Sequence, residues 1–299
     1  MTSALCYPTT LPKLCREFTL NPKCSQFSPS FFPKSRFPSS ASLFRPCCSR
    51  NGWGGEDPFE NFSVLETDTP WDSADMWSTL AGYIFTLHVP LSFGGVAFVA
   101  KTLRPLLDPL TMALSIIVIQ MMELTGAMLL LSFTAKKEYQ ISSFFIGKLF
   151  SEKRSWIKAS ATGVVFLIGL MFLTSSIADS LLEAKEDVND PIMKEMFLGS
   201  PLSEIATVSL LCFTTPLLEE TIYRGFLLTS LAKEMKWWQA IIISACVFSI
   251  AHFSFESSLQ LFLVGIILGF VYCWSGNLAA PFLVHSLYNA AVLLLDYML

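Results

Sequence analysis

Apolar residues in this chain gather into runs long enough to cross a bilayer, near 79–100, 109–133, 159–178, 204–228, 238–253, 259–275 and 278–297. A helix spanning the hydrocarbon core needs about 17 to 25 consecutive, mostly apolar residues. No water reaches that core, so each backbone group must pair within its own segment, and the runs are expected to be helices. Charge agrees with this reading: 15% of the residues are charged, against roughly 25% in soluble domains. The expected fold is all-α, a polytopic transmembrane helical bundle of about seven or eight spans, with 141–150 as a short interfacial helix or the extra span. A net charge of −4 is too small to point to nucleic acid or another highly charged partner.

The first fifty residues read as an address. Lys13, Arg16, Lys23, Lys34, Arg36, Arg45 and Arg50 face one acid, Glu17, in a background of Ser, Thr and Pro. Such composition marks an organellar transit peptide, and a secretory signal would need an apolar segment that 1–50 lacks. The prolines argue against a long amphipathic helix, which favours a plastid over a mitochondrion, so the expected location is a chloroplast membrane, envelope or thylakoid. At Asn51 the sign reverses: Glu56, Asp57, Glu60, Glu66, Asp68, Asp72 and Asp75 make 51–78 an acidic linker, and 79–299 the membrane helical domain. Cys6, Cys15, Cys24, Cys47 and Cys48 fall in the address. Cys212, Cys246 and Cys273 sit singly in apolar runs as small hydrophobes, without metal-binding spacing.

Loop charge suggests an orientation. The 134–158 connection is basic (Lys136, Lys137, Lys148, Lys153, Arg154, Lys158), the 179–203 connection acidic, and the 233–236 turn basic again. The positive-inside rule puts both basic loops on one side, in a plastid the stroma. Gly265 and Gly269 form a G-x-x-x-G that lets a neighbouring helix approach closely, expected to serve packing inside the bundle.

Charges inside the apolar runs narrow the function. Pro216-Leu-Leu-Glu219-Glu220-Thr-Ile-Tyr-Arg224 puts two carboxylates and a guanidinium in one span, at a cost of roughly 2.5 to 3.5 kcal/mol each on insertion scales. Glu220 and Arg224 are four apart with the acid first, the favourable order for a helical ion pair. Glu219 points about 100° away and is left for other work. His252 ends Phe248-Ser-Ile-Ala-His252, and His285 shares a helix face with Asn289 in His285-Ser-Leu-Tyr-Asn289. If 233–238 is a turn between antiparallel helices, Glu219 and His252 both lie about 20 to 25 Å from it, and His285 about 13 Å from the same face. One pocket can then collect all four side chains. Glu219 and His252 would hold and deprotonate a water, and His285 and Asn289 would stabilise an oxyanion, which describes peptide hydrolysis without a protein nucleophile. Pro216 and Pro281 are expected to kink their helices beside the site. Glu123 is expected to make a structural contact inside the bundle, and His88 to be structural or a span irregularity.

These segments resemble the three signature motifs of the CAAX protease and bacteriocin-processing family, which includes the type II CAAX prenyl endopeptidases: E-E-x-x-x-R, F-x-x-x-H and H-x-x-x-N/D. They occur in that order over roughly 203–297, the CAAX-protease-like core. The resemblance implies an eight-helix type of membrane fold and glutamate-dependent intramembrane proteolysis, with Glu219 as base, His252 its partner on the water, His285 and Asn289 the oxyanion site, and Glu220 and Arg224 structural. The implied partner is a membrane-embedded or lipid-anchored protein or peptide, with no cofactor. The alternatives are a catalytically silent scaffold of the same fold and, more remotely, a zinc site at Glu219, His252 and His285.

Overall fold

The computed structural model describes residues 61–66, 68–103, 107–181, 191–255 and 257–297. The basic address at 1–50 and the first acids after it lie outside these residues. Nine helices occur among those described: α1 Ser73–Leu103, α2 Pro109–Thr134, α3 Ile141–Leu149, α4 Trp156–Leu181, α5 Pro191–Leu198, α6 Pro201–Glu234, α7 Trp237–Ala251, α8 Ser258–Ser275 and α9 Ala279–Tyr297. Five of the apolar helices, α1, α2, α4, α6 and α8, are long enough to cross a membrane, and α7 and α9 are shorter apolar helices. The chain is a multi-pass, all-helical bundle.

Local sequence sets the helix ends. Asp108 caps α2 by accepting from the Thr111 N–H at 3.2 Å, with Pro109 in the first turn, where its missing N–H costs nothing. Ser200 and Ser203 form a reciprocal cap on α6, again followed by a proline. α8 stops at Gly276, whose φ of 65° suits glycine. Half of the most apolar stretch of α6 and of α8 is buried inside the protein, against 22% for α1 and α4. α6 and α8 are therefore the central helices. Gly265 and Gly269 lie against α7, where an added Cβ would come within 3.0 Å of Ala245 and of Ile241, respectively. The glycine pair serves packing within the bundle, as its spacing suggested.

The prolines behave differently from each other. Just before Pro216 the backbone widens to π-helical turns over Leu210–Thr214, runs regularly over Thr215–Glu220, and widens again over Thr221–Leu228. A proline removes an N–H and crowds the carbonyl four residues earlier, and wider turns relieve both effects. Pro281 was expected to kink its helix, but α9 begins at Ala279, which places Pro281 in the first turn, where it interrupts no helical bond.

The acidic segment is more than a linker. Helix α1 already starts at Ser73, and residues 61–66 and 68–72 strap across one end of the bundle. Phe62 stacks on Trp237 at 4.5 Å, the Val64 N–H donates to the Cys273 carbonyl at 3.0 Å, and Trp71 is buried with its indole N–H on Leu131. Glu66 pairs with Lys153 at 2.6 Å and Lys148 at 3.4 Å, and Asp72 with Lys136 at 2.9 Å and Lys233 at 3.0 Å. Asp72 thus touches both basic loops, which places them at the same end of the bundle.

One length matters for the site. α7 has 15 residues, so it rises about 22 Å, less than the roughly 30 Å hydrocarbon core. A helix of that length starting at one face stops short of the other, and the residue at its end is His252.

Candidate active site

Glu219 and Glu220 leave α6 in different directions and meet different surroundings. Glu220 Oε1 accepts from Arg224 Nη1 at 2.9 Å, with both residues 1% exposed. Arg224 also lies over the Phe248 ring at 4.6 Å and reaches the Gly265 carbonyl at 3.4 Å. The same Glu220 oxygen takes the His285 Nδ1 at 2.8 Å. Glu220 therefore does more than the sequence spacing showed: besides balancing Arg224 it orients the α9 imidazole. Among the described residues, neither its second oxygen nor the buried Tyr223 hydroxyl has a hydrogen-bond partner.

Glu219 faces two imidazoles. Its Oε1 is 3.5 Å from His252 Nε2 and its Oε2 is 3.6 Å from His285 Nε2. Both separations exceed ordinary hydrogen-bond length, so Glu219 is held near both rings without a direct bond to either. The far side of each ring decides where its proton sits. His252 Nδ1 is 2.7 Å from the Phe248 carbonyl, which can only accept, so Nδ1 carries the hydrogen. His285 Nδ1 meets a carboxylate already engaged with a guanidinium, and it too donates. Each Nε2 is then a lone pair aimed at Glu219, and His285 Nε2 can donate only when the ring is doubly protonated.

Asn289, one turn beyond His285, donates from Nδ2 to the Leu211 carbonyl at 2.8 Å, the carbonyl lying in the widened stretch of α6. The amide keeps a second hydrogen. Glu219, His252, His285 and Asn289 all line one cavity of about 40 Å³, walled by Met193, Leu211, Phe248, Val264 and Leu293. That volume admits a water or two. Phe248 is the ring around which the site is built, 4.6 Å from His252 and 6.2 Å from His285 between centroids. The expected difference in depth between His285 and the other two residues does not keep it from reaching Glu219. Among the described residues, no group of three or more His, Cys, Asp or Glu side chains is arranged to hold a metal ion.

A second polar cluster lies on the α1–α2 side. Buried Glu123 accepts from Tyr83 at 2.7 Å, meets His88 Nδ1 at 2.8 Å and accepts from Ser92. The sequence signal that joins Glu123 and His88 is that each interrupts an apolar run with a charge or a ring nitrogen that needs a partner.

Fold and site together define a multi-pass helical membrane protein with a part-buried glutamate–histidine centre among its helices. Residues 201–291 match the family model described as Rce1-like, type II CAAX prenyl endopeptidase. Among curated proteins, the chain is 30% identical over 129 residues to an "Uncharacterized 24.3 kDa protein" of Escherichia coli, an alignment covering 41% of this chain and 59% of that relative. The chain thus spans less than two thirds of that relative's length. No solved structure matches. Glu219, Glu220, Arg224, His252, His285 and Asn289 all fall within the matched stretch, whereas His88 and Glu123 fall outside it.

Proposed function

We propose that the protein is an intramembrane endopeptidase that hydrolyses a peptide bond of a membrane-embedded or lipid-anchored protein with a glutamate-activated water. The observation that carries this reading is that two imidazole Nε2 atoms converge on Glu219 at 3.5 and 3.6 Å in a part-buried cavity, while the adjacent Glu220 is already occupied.

A water between Glu219 and His252 has two hydrogens for two acceptors, the carboxylate and the His252 lone pair, and its oxygen is left to attack. As it adds to the scissile carbonyl carbon, Glu219 takes its proton. The carbonyl oxygen becomes an oxyanion, received by the free hydrogen of Asn289 Nδ2 and by His285 Nε2–H when that ring is an imidazolium facing Glu220. Glu219 then returns the proton to the leaving amine as the C–N bond breaks, giving a carboxylic acid and a free amine. No metal takes part in this scheme. The basic, acid-poor residues 1–50 support a plastid membrane as the place of action.

The test compares peptide termini in membranes containing the wild type, Glu219→Gln or His252→Ala. New termini that vanish in both variants, while each variant accumulates normally, support the scheme, and their persistence under a strong chelator separates it from a zinc site. Identical termini in all three membranes would reject hydrolysis and leave a silent scaffold. Such a scaffold would be recognised by partner proteins that disappear with the chain whatever stands at 219.

A further inference from the structure

Helix α7 is too short to cross the hydrocarbon core, and its last four carbonyls have no partners in the regular helical pattern. Each finds one. Phe248 O accepts from His252 Nδ1 at 2.7 Å, Ser249 O from the His252 backbone at 3.3 Å, and Ile250 O from the Phe253 backbone at 3.0 Å. The last, Ala251 O, is met by His88 Nε2 of α1 at 3.3 Å. A carbonyl cannot donate, so this Nε2 carries a hydrogen. On its other side His88 Nδ1 meets Glu123 Oε1 at 2.8 Å. Glu123, wholly buried, is fixed in turn by Tyr83 and Ser92.

The turn that follows α7 is held a second time by the same helix. Phe253 has φ of 49°, a left-handed conformation that is a genuine outlier for a bulky side chain. The Phe93 ring of α1 lies edge-on to it at 5.0 Å and also edge-on to His88 at 5.4 Å. Two contacts from α1 therefore bracket His252, one on the residue before it and one on the residue after it.

We infer that the Glu123–His88 pair is a positioning device for His252, fixing the end of α7 so that the His252 ring faces Glu219. His88 touches none of the four side chains assigned to the reaction and acts through the backbone of Ala251. The pair joins the two halves of the molecule, since α1 and α2 lie outside the stretch matched to the peptidase family. The kinetic part of this inference rests on the proposed peptidase activity; the geometric part does not.

The chain contains three histidines, so ring-labelled histidine spectra of the full-length protein in lipid nanodiscs resolve each one, assigned by single replacements. In His88→Ala, the His252 ring signals should shift or broaden while those of His285, tied to Glu220, stay in place. In His88→Gln, whose amide can donate to the Ala251 carbonyl, the His252 signals should return toward wild type. Unmoved His252 signals in His88→Ala would overturn the inference, as would equal movement of His252 and His285, which would mean general loosening. If His88→Ala does not accumulate, Glu123→Gln is read by the same criterion, because it weakens the anchor without removing volume. Kinetics give a second reading: His88→Ala should lower kcat about 10- to 100-fold with KM unchanged, and His88→Gln should recover most of it. If the wild type shows no Glu219-dependent turnover, the peptidase proposal fails and the spectra still decide whether His88 positions His252.

Discussion

Two adjacent glutamates with the same side chain come to different chemical situations because the helix turns about 100° between them. Glu220 points at a guanidinium and a ring N–H, and Glu219 at two ring lone pairs and a cavity. The buried pair makes a definite prediction. Removing one member of such a pair strands the other and costs roughly 3 to 5 kcal/mol, far more than the intact pair contributes against an apolar substitute. Arg224→Ala should therefore accumulate poorly and unfold at much lower temperature in detergent, and Arg224→Lys should fall between it and the wild type. Lysine restores the charge but not the planar group that lies over Phe248 and reaches Gly265. A melting temperature for Arg224→Ala equal to the wild type's would show that Glu220 does not depend on its cation. The ion pair itself was legible in the sequence, being four residues apart in one helix. The bond from His285 to Glu220 was not, because it joins positions 65 apart.

Between elements, the decisive contact is α8 on α7. Gly265 leaves room for Ala245, whose Cα and Cβ lie 3.1 and 3.0 Å from where a Cβ would stand, and backbone cannot swing aside as a side-chain tip can. Gly265→Leu is predicted to cost about 1 to 3 kcal/mol by overpacking and to push the Gly265 carbonyl away from Arg224. Gly169 in α4 is the opposite case, with open space for 4 Å around the point where a Cβ would stand. Gly169→Ala should accordingly stabilise its helix by about 0.5 to 1 kcal/mol, and opposite shifts in thermal unfolding for the two variants would establish the contrast. The spans and the glycine pair could be read from the chain because apolar runs and four-residue spacings are local. The end of α7 at Ala251 and the His88–Ala251 bond could not. They depend on where a second helix stands, in the last case 163 positions away.

For the whole molecule, the acidic strap ties the ends of α2, α3, α6 and the start of α4 through the lysines of the two basic loops. Burial pushes the Lys148 ammonium below its usual value, and Glu66 opposes that. The bond from Lys153, with the charge of Lys148, holds the Glu66 carboxyl below its ordinary 4.5, and bonds from Lys136 and Lys233 hold Asp72 below 3.8. A carboxyl with a lowered folded-state value stabilises the fold fully above its unfolded value, and that stability is lost as pH falls through the lowered one. Lys136 works on the other side: Asp72 raises it above 10.5, so its share is present below that value and is lost only as pH climbs past the raised one. The strap should be firm between these limits and loosen in acid. Glu66 is half exposed, so its pairs are worth a few tenths of a kcal/mol to about 1 kcal/mol, and salt should weaken them. Accordingly Glu66→Gln/Asp72→Asn should melt slightly below the wild type near about pH 7, and the gap should narrow as pH falls through the lowered carboxyl values. Raising salt to about 1 M at neutral pH should close most of the same gap. A gap that persists in acid and in salt would mean that Phe62, Val64 and Trp71, rather than the charges, hold the strap in place.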